Sequence, residues 1–140
     1  MAESETINFI VKDKSFEKFA RMAILGSSGD AMDIKMNFFF TFWGLNLLTK
    51  KFKPKVAGMP TPMKGMGAKI FGKRMKKFGI EDPWQLIKDG VESGNLKLYP
   101  CQMTMDLMKI KAEQIIDIAE EPVGAATFLE MSNGGRIVSL

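Results

Sequence analysis

The chain has 140 residues, 46% of them hydrophobic and 26% charged, and a formal net charge of +4. That is enough for one globular domain with a sizeable core. It holds one cysteine and no histidine, which excludes an internal disulfide, multi-cysteine metal clusters, imidazole-bound zinc, and the Ser-His-Asp and Cys-His mechanisms. No apolar run approaches the ~20 residues of a membrane span. The acidic start Met1-Ala2-Glu3-Ser4-Glu5 resembles neither a signal peptide nor a transit peptide, so a cytoplasmic protein is expected.

Ile7 to Val11 is short and β-rich and reads as a first strand. Ser15 is a candidate N-cap with Glu17 in the first turn. Phe16, Phe19, Ala20, Ala23 and Ile24 then recur at helical spacing to about Leu25, where Gly26-Ser27-Ser28-Gly29 is expected to end the helix. A second strand, the strongest signal in the chain, covers Ile34 to Phe42. Its start alternates and its end is continuously apolar, as in a strand buried on both faces. A turn near Thr41 to Gly44 leads into a short helix to about Lys50.

Lys51 to Pro62 contains three prolines and reads as a loop. Met63, Met66, Ile70, Phe71, Met75 and Phe78 follow on one helical face, with Lys64, Lys69, Lys73, Lys76 and Lys77 on the other. Ten of the 20 basic residues fall between Lys50 and Lys77, with no acid among them. This stretch reads either as a solvated face or as a docking surface for an acidic partner, with Lys69, Lys73, Arg74, Lys76 and Lys77 as the contacting residues. Nucleic acid is not expected, because no aromatic-rich strand or known motif accompanies the charge.

Asp82 and Pro83 have the N-cap and N1 chemistry of a helix start. Trp84, Ile87, Lys88 and Val91 form its inward stripe, and Gly94-Asn95 ends it. Leu96 to Tyr99 is a third strand running into Cys101, and a short helix covers Thr104 to Met108. Another turn or two is expected over Lys111 to Ile116. A helix from Pro122 to Met131 and an edge strand from Arg136 to Leu140 complete the chain. Strands alternating with helices predict an α/β layered domain with a mostly parallel sheet. In such sheets sites lie beyond the carboxyl ends of the strands, so Lys12-Asp13, Thr41 to Gly44 and Cys101 are expected to gather at one edge.

Cys101 is the one good nucleophile in the sequence. At a strand-to-helix turn it would meet unpaired backbone N–H groups, here those of Met103 and Thr104, which favour a thiolate and an anionic adduct. Gln102, Met103, Thr104, Thr41, Phe42, Trp43 and Gly44 are the residues expected to line the site. Met103, Met105, Tyr99, Phe42 and Trp43 are candidates to shield an adduct from water. The competing reading is a buried, inert cysteine, since free cysteine is among the most buried residue types.

The blocks Phe39-Phe40-Thr41-Phe42-Trp43-Gly44-Leu45-Asn46-Leu47-Leu48 and Cys101-Gln102-Met103-Thr104-Met105-Asp106-Leu107-Met108 resemble the DsrE/DsrF-like (YchN-like) sulfur-transfer family, in its peroxiredoxin-like DsrE-type branch. The Pro60 to Phe78 insert and Gly124 to Glu130 also match, so the resemblance covers nearly the whole chain. It implies one flavodoxin-like α/β domain over residues 1–140 with a basic Met-rich insert at about 51–80. It also implies a homo-oligomer and a cysteine, here Cys101, that carries sulfur as a persulfide or thiosulfonate. The exchange partners it implies are TusA-like carriers, beside rhodanese-like and heterodisulfide-reductase-like proteins. Sulfane sulfur transfer requires no metal or cofactor. Two other readings remain open: a single-cysteine thiol redox enzyme of the peroxiredoxin kind, and a non-catalytic docking module built on the basic helix.

Overall fold

A computed structural model describes residues 6–50, 69–70, 73–74, 77 and 82–140. Strand β1 covers Ile7–Val11 and helix α1 Phe16–Ala31. Strand β2 covers Met36–Phe40 and passes into a 3-10 segment, Phe42–Leu48. Helix α2 covers Pro83–Ser93, strand β3 Leu96–Pro100, and helix α3 Gln102–Met108. Helix α4, Ala125–Met131, precedes strand β4, Arg136–Ser139. The four strands form one all-parallel sheet in the order β3-β2-β1-β4. The winding reverses at β1, with β2 and β3 added on one side and β4 on the other, as in doubly wound folds.

Alternation along each strand divides the core in two. Phe9, Val11, Met36, Phe38, Phe40, Leu96 and Leu98 face the larger layer. There they pack with Phe19, Met22, Ala23, Ile87 and the buried leucines Leu45, Leu47 and Leu48. The intervening residues Ile10, Phe39 and Tyr99 face the opposite side, where Phe128 of α4 covers them. The result is the flavodoxin-like three-layer arrangement, with one thick helical layer and one thin one.

Local chemistry explains most element boundaries. Ser15 caps α1, its hydroxyl accepting from the Lys18 N–H at 3.4 Å. Asp82 caps α2, accepting from the Trp84 N–H at 3.2 Å, with Pro83 at the first helical position. Gly94 ends α2 with φ of +89°, a conformation glycine adopts without steric cost.

Some expected boundaries are corrected. Helix α1 does not end near Leu25 but continues through Gly26-Ser27-Ser28-Gly29 to Ala31. Those two glycines are buried and let the helix approach the sheet: a Cβ on Gly26 would lie 2.8 Å from Leu96 Cδ2, and one on Gly29 would overlap the end of Met36. Here glycine is a packing residue, and the packing outweighs its intrinsic helix cost of about 1 kcal/mol. Lys88 is exposed; the inward face of α2 is made by Ile87 and Gly90, with Trp84, Leu86 and Val91 partly buried. Pro122 does not start a helix. Val123 is extended and bridges to Cys101, so α4 begins only after Gly124. The turn expected over Lys111 to Ile116 is present as a single 3-10 turn at Ala112–Gln114, after which the chain pairs Ile115 with Thr49.

The Met-rich helix lies mostly outside the described residues. Lys69, Ile70, Lys73, Arg74 and Lys77 are described as helical and exposed. No helix among the described residues is long and apolar enough to cross a membrane.

Candidate functional site

The parallel register places the ends of three strands side by side: Val11 pairs with Phe40, and Phe40 with Pro100. The next residues of each strand, Lys12, Thr41 and Cys101, therefore start from one edge. Backbone hydrogen bonds continue the ladder past the strands, from Thr41 N–H to the Val11 carbonyl at 3.0 Å and from Cys101 N–H to the Phe40 carbonyl at 2.9 Å. Thus the expected gathering of Lys12-Asp13, Thr41 to Gly44 and Cys101 at the carboxyl edge is what the register produces.

Cys101 is the N-cap of α3 and is 5% exposed. Its side chain makes no capping hydrogen bond with the N–H groups of the first turn. It packs instead into the thin layer with Phe39 and Phe128, whose rings stack at 4.6 Å, and with Ile10, Tyr99 and Val123 around them. Val123 is tied to the cysteine turn on both sides. Its N–H donates to the Pro100 carbonyl and its carbonyl accepts from the Gln102 N–H, each at 3.0 Å. Val123 and Phe128 thereby form the cover over the thiol.

Tyr99 supplies the polar group of this cluster. Burial, reinforced by the Glu120 carboxylate, pushes its phenol above the ordinary range, so it stays neutral at neutral pH.

Thr104, the third residue of α3, is 1% exposed and joins two elements of the edge. Its hydroxyl accepts the Phe42 N–H at 3.0 Å and lies 3.2 Å from the Thr41 hydroxyl. Phe42 has φ of +49°, a left-handed conformation that disfavours a side chain. Gly44 is buried, and a Cβ there would collide with the Val11 carbonyl. Gripped by Thr104 and seated on Val11, the turn turns its aromatic residues outward: Phe42 is 57% exposed and Trp43 59%.

The residues expected to line the site are thus divided. Thr41, Gly44 and Thr104 frame the edge. Gln102 is exposed and donates to Asp106 at 3.1 Å, and Met103 is exposed on the outer face of α3. Of the expected shielding residues, Tyr99 packs against the cluster that holds Cys101. Met105 belongs to the larger layer, and Phe42, Trp43 and Met103 are on the surface. The apolar wall at the thiol is instead made by Phe39 and Phe128. Phe39 sits in the continuously apolar end of its strand, where the sequence does not distinguish the two faces. Phe128 carries no local signal of this role, since it lies 27 residues beyond Cys101. Of the basic residues expected to dock a partner, Lys69, Lys73, Arg74 and Lys77 are exposed, and Lys76 lies outside the described residues. Among the described residues no group of three or more Cys, Asp and Glu side chains is arranged to hold a metal.

The family profile described as DsrE/DsrF/DrsH-like matches residues 3–62 and 52–138. The chain belongs to this DsrE/DsrF/DrsH-like family. It is 32% identical over 135 residues to the protein named sulfur carrier protein DsrE2 of Allochromatium vinosum, an alignment covering 81% of this chain and 84% of that protein. It is 26% identical to the uncharacterized protein YrkE of Bacillus subtilis, with 96% of both covered. In structure it resembles the ychN protein of E. coli, with a TM-score of 0.62 at 10% identity, covering 97% of this chain and 99% of the other. At that identity the likeness speaks for the fold. The DsrE-like membership makes sulfur transfer the chemistry against which the geometry at Cys101 is to be judged.

Proposed function

We propose that this chain is a cytoplasmic sulfur carrier or sulfurtransferase that holds sulfane sulfur on Cys101 and exchanges it with a TusA-like carrier. The observation that supports this most directly is that the single thiol of a DsrE-like chain follows β3 at the carboxyl edge of a parallel sheet. The relative named as a sulfur carrier protein points to the same chemistry.

The exchange needs one thiolate and no cofactor. The Cys101 thiolate attacks the terminal sulfur of a donor persulfide; the donor S–S bond breaks, and the donor leaves as a thiolate with the electron pair. A Cys101 persulfide remains. Attack by the acceptor thiolate on that terminal sulfur reverses the roles, so no net oxidation occurs. With tetrathionate, attack on an inner sulfur leaves a Cys101 thiosulfonate, Cys–S–S–SO3−, and releases thiosulfate. The apolar wall of Phe39 and Phe128 keeps water from the loaded sulfur. With the thiol 5% exposed, loading requires α4 to lift Phe128. A seven-residue helix carrying one fully buried side chain is a low-cost element to open.

Mass spectrometry of the purified protein after incubation with tetrathionate or a persulfide donor tests the reading. The wild type gains the mass of the transferred group, reductant removes it, and Cys101→Ser gains nothing. Absence of any gain on the wild type, or equal labelling of the serine variant, sinks it. The reading also includes a homo-oligomer, supported by the exposed apolar residues Ile137 and Val138 on the edge strand β4. A monomer in light scattering at micromolar concentration contradicts that part.

A further inference from the structure

Phe42 and Trp43 are large, aromatic and more than half exposed, yet they stand on backbone that is tightly held. Thr104 fixes the Phe42 N–H, Gly44 is wedged on the Val11 carbonyl, and Phe42 itself is kept at a positive φ. A left-handed conformation is disfavoured for a non-glycine residue, and here it presents a ring to solvent. Beside this turn, α3 adds Met103 and Leu107, 66% and 65% exposed and four residues apart, hence on one helical face. Rigid aromatic anchors with adaptable methionine and leucine beside them make a surface suited to protein docking.

The charges around it select the partner. Lys12 is exposed, and its backbone abuts Gly44. Lys14 Nζ lies 5.2 Å from the centre of the Trp43 ring. Lys109 follows α3 as an exposed C-cap. The same stretches carry two acids, Asp13, which accepts from the Ser15 N–H, and Asp106, which accepts from Gln102, so three lysines face two carboxylates and the rim stays net positive. A second copy of this chain would bring the same net positive rim to the interface. We infer that Phe42, Trp43, Met103 and Leu107 form a docking surface for a protein partner that presents apolar side chains rimmed by carboxylates. This surface adjoins the Cys101 turn but does not depend on the cysteine reacting, so it stands or falls separately from the sulfur reading.

Titration of the 15N-labelled protein with a synthetic peptide of interspersed Leu and Glu, and with its Lys-for-Glu counterpart, tests the inference. With the acidic peptide, saturable NMR shifts are expected at the Trp43 indole and at the amides of Phe42, Met103 and Leu107. High salt should reduce them, and Cys101→Ser should retain them. Phe42→Gly removes the ring while keeping, and relaxing, the positive-φ backbone, so it stays folded; it and Trp43→Ala should each weaken binding about tenfold or more. No shifts at millimolar peptide, equal shifts with the basic peptide, or unchanged affinity in both variants would overturn it. So would dissociation of an oligomer in the two variants, which would assign the surface to a second copy.

Discussion

Thr104 shows how one side chain can hold a site together. Its hydroxyl is buried and satisfies the Phe42 N–H as well as meeting Thr41. Thr104→Val keeps the shape but leaves that N–H without its acceptor, which typically costs about 1–3 kcal/mol. Urea denaturation should show this loss, and the Phe42 amide should exchange faster with solvent. Gly44→Ala is a harsher change, because the added methyl meets backbone rather than a flexible side chain. A destabilisation of about 3 kcal/mol is expected; near-neutral behaviour would show that the turn can shift away from Val11. Neither role is visible in the sequence. Thr104 and Gly44 read there as residues lining the site, but not what they hold, since what each touches lies 62 and 33 residues away.

At the scale of elements, α4 decides whether Cys101 is reachable. Its one buried side chain, Phe128, stacks on Phe39 and closes the thin layer over the thiol. Phe128→Ala should cost roughly 3–5 kcal/mol, as large aromatic truncations do, and should also speed reaction of Cys101 with a small thiol reagent. If labelling is no faster once the fraction unfolded is taken into account, Phe128 is not the cover. The start of α1 and both ends of α2 were legible from capping chemistry: Ser15, Asp82-Pro83 and Gly94 each did what their types predict. The end of α1 was not legible. Gly26 and Gly29 look like breakers locally, but the sheet needs their missing side chains for close approach.

Across the whole molecule, Asp30 ties the two long helices to the sheet. From near the end of α1 it accepts from Ser93 of α2, and from Asn95 Nδ2 at 2.8 Å, just before β3. These hydrogen bonds, Ser93 first, hold its carboxyl below the ordinary carboxylate value, with a small opposing push from burial. A depressed folded pKa means that the contribution to stability is present above the unfolded value and is lost as pH falls through the folded one. Wild-type stability should therefore decline on acidification below the ordinary carboxylate range, and Asp30→Asn should flatten that part of the profile. Thermal melts of both proteins from neutral pH to pH 3 check this; parallel profiles would show that the clamp contributes nothing.

Periodicity and turn chemistry in the sequence alone determined that strands alternate with helices, and hence a parallel sheet with its working edge at the strand ends. They also determined that the one thiol stands where β3 passes to a helix. These are local properties, set by residues within a few positions of one another. What only the tertiary structure decided is which way that thiol faces. Cys101 turns away from the first turn of α3 into the wall of Phe39 and Phe128, while Phe42 and Trp43 turn outward. The physical reason is that burial depends on which layer covers each face of the sheet. That is settled by contacts such as Phe39 with Phe128 and Thr104 with Phe42, between residues far apart in the chain.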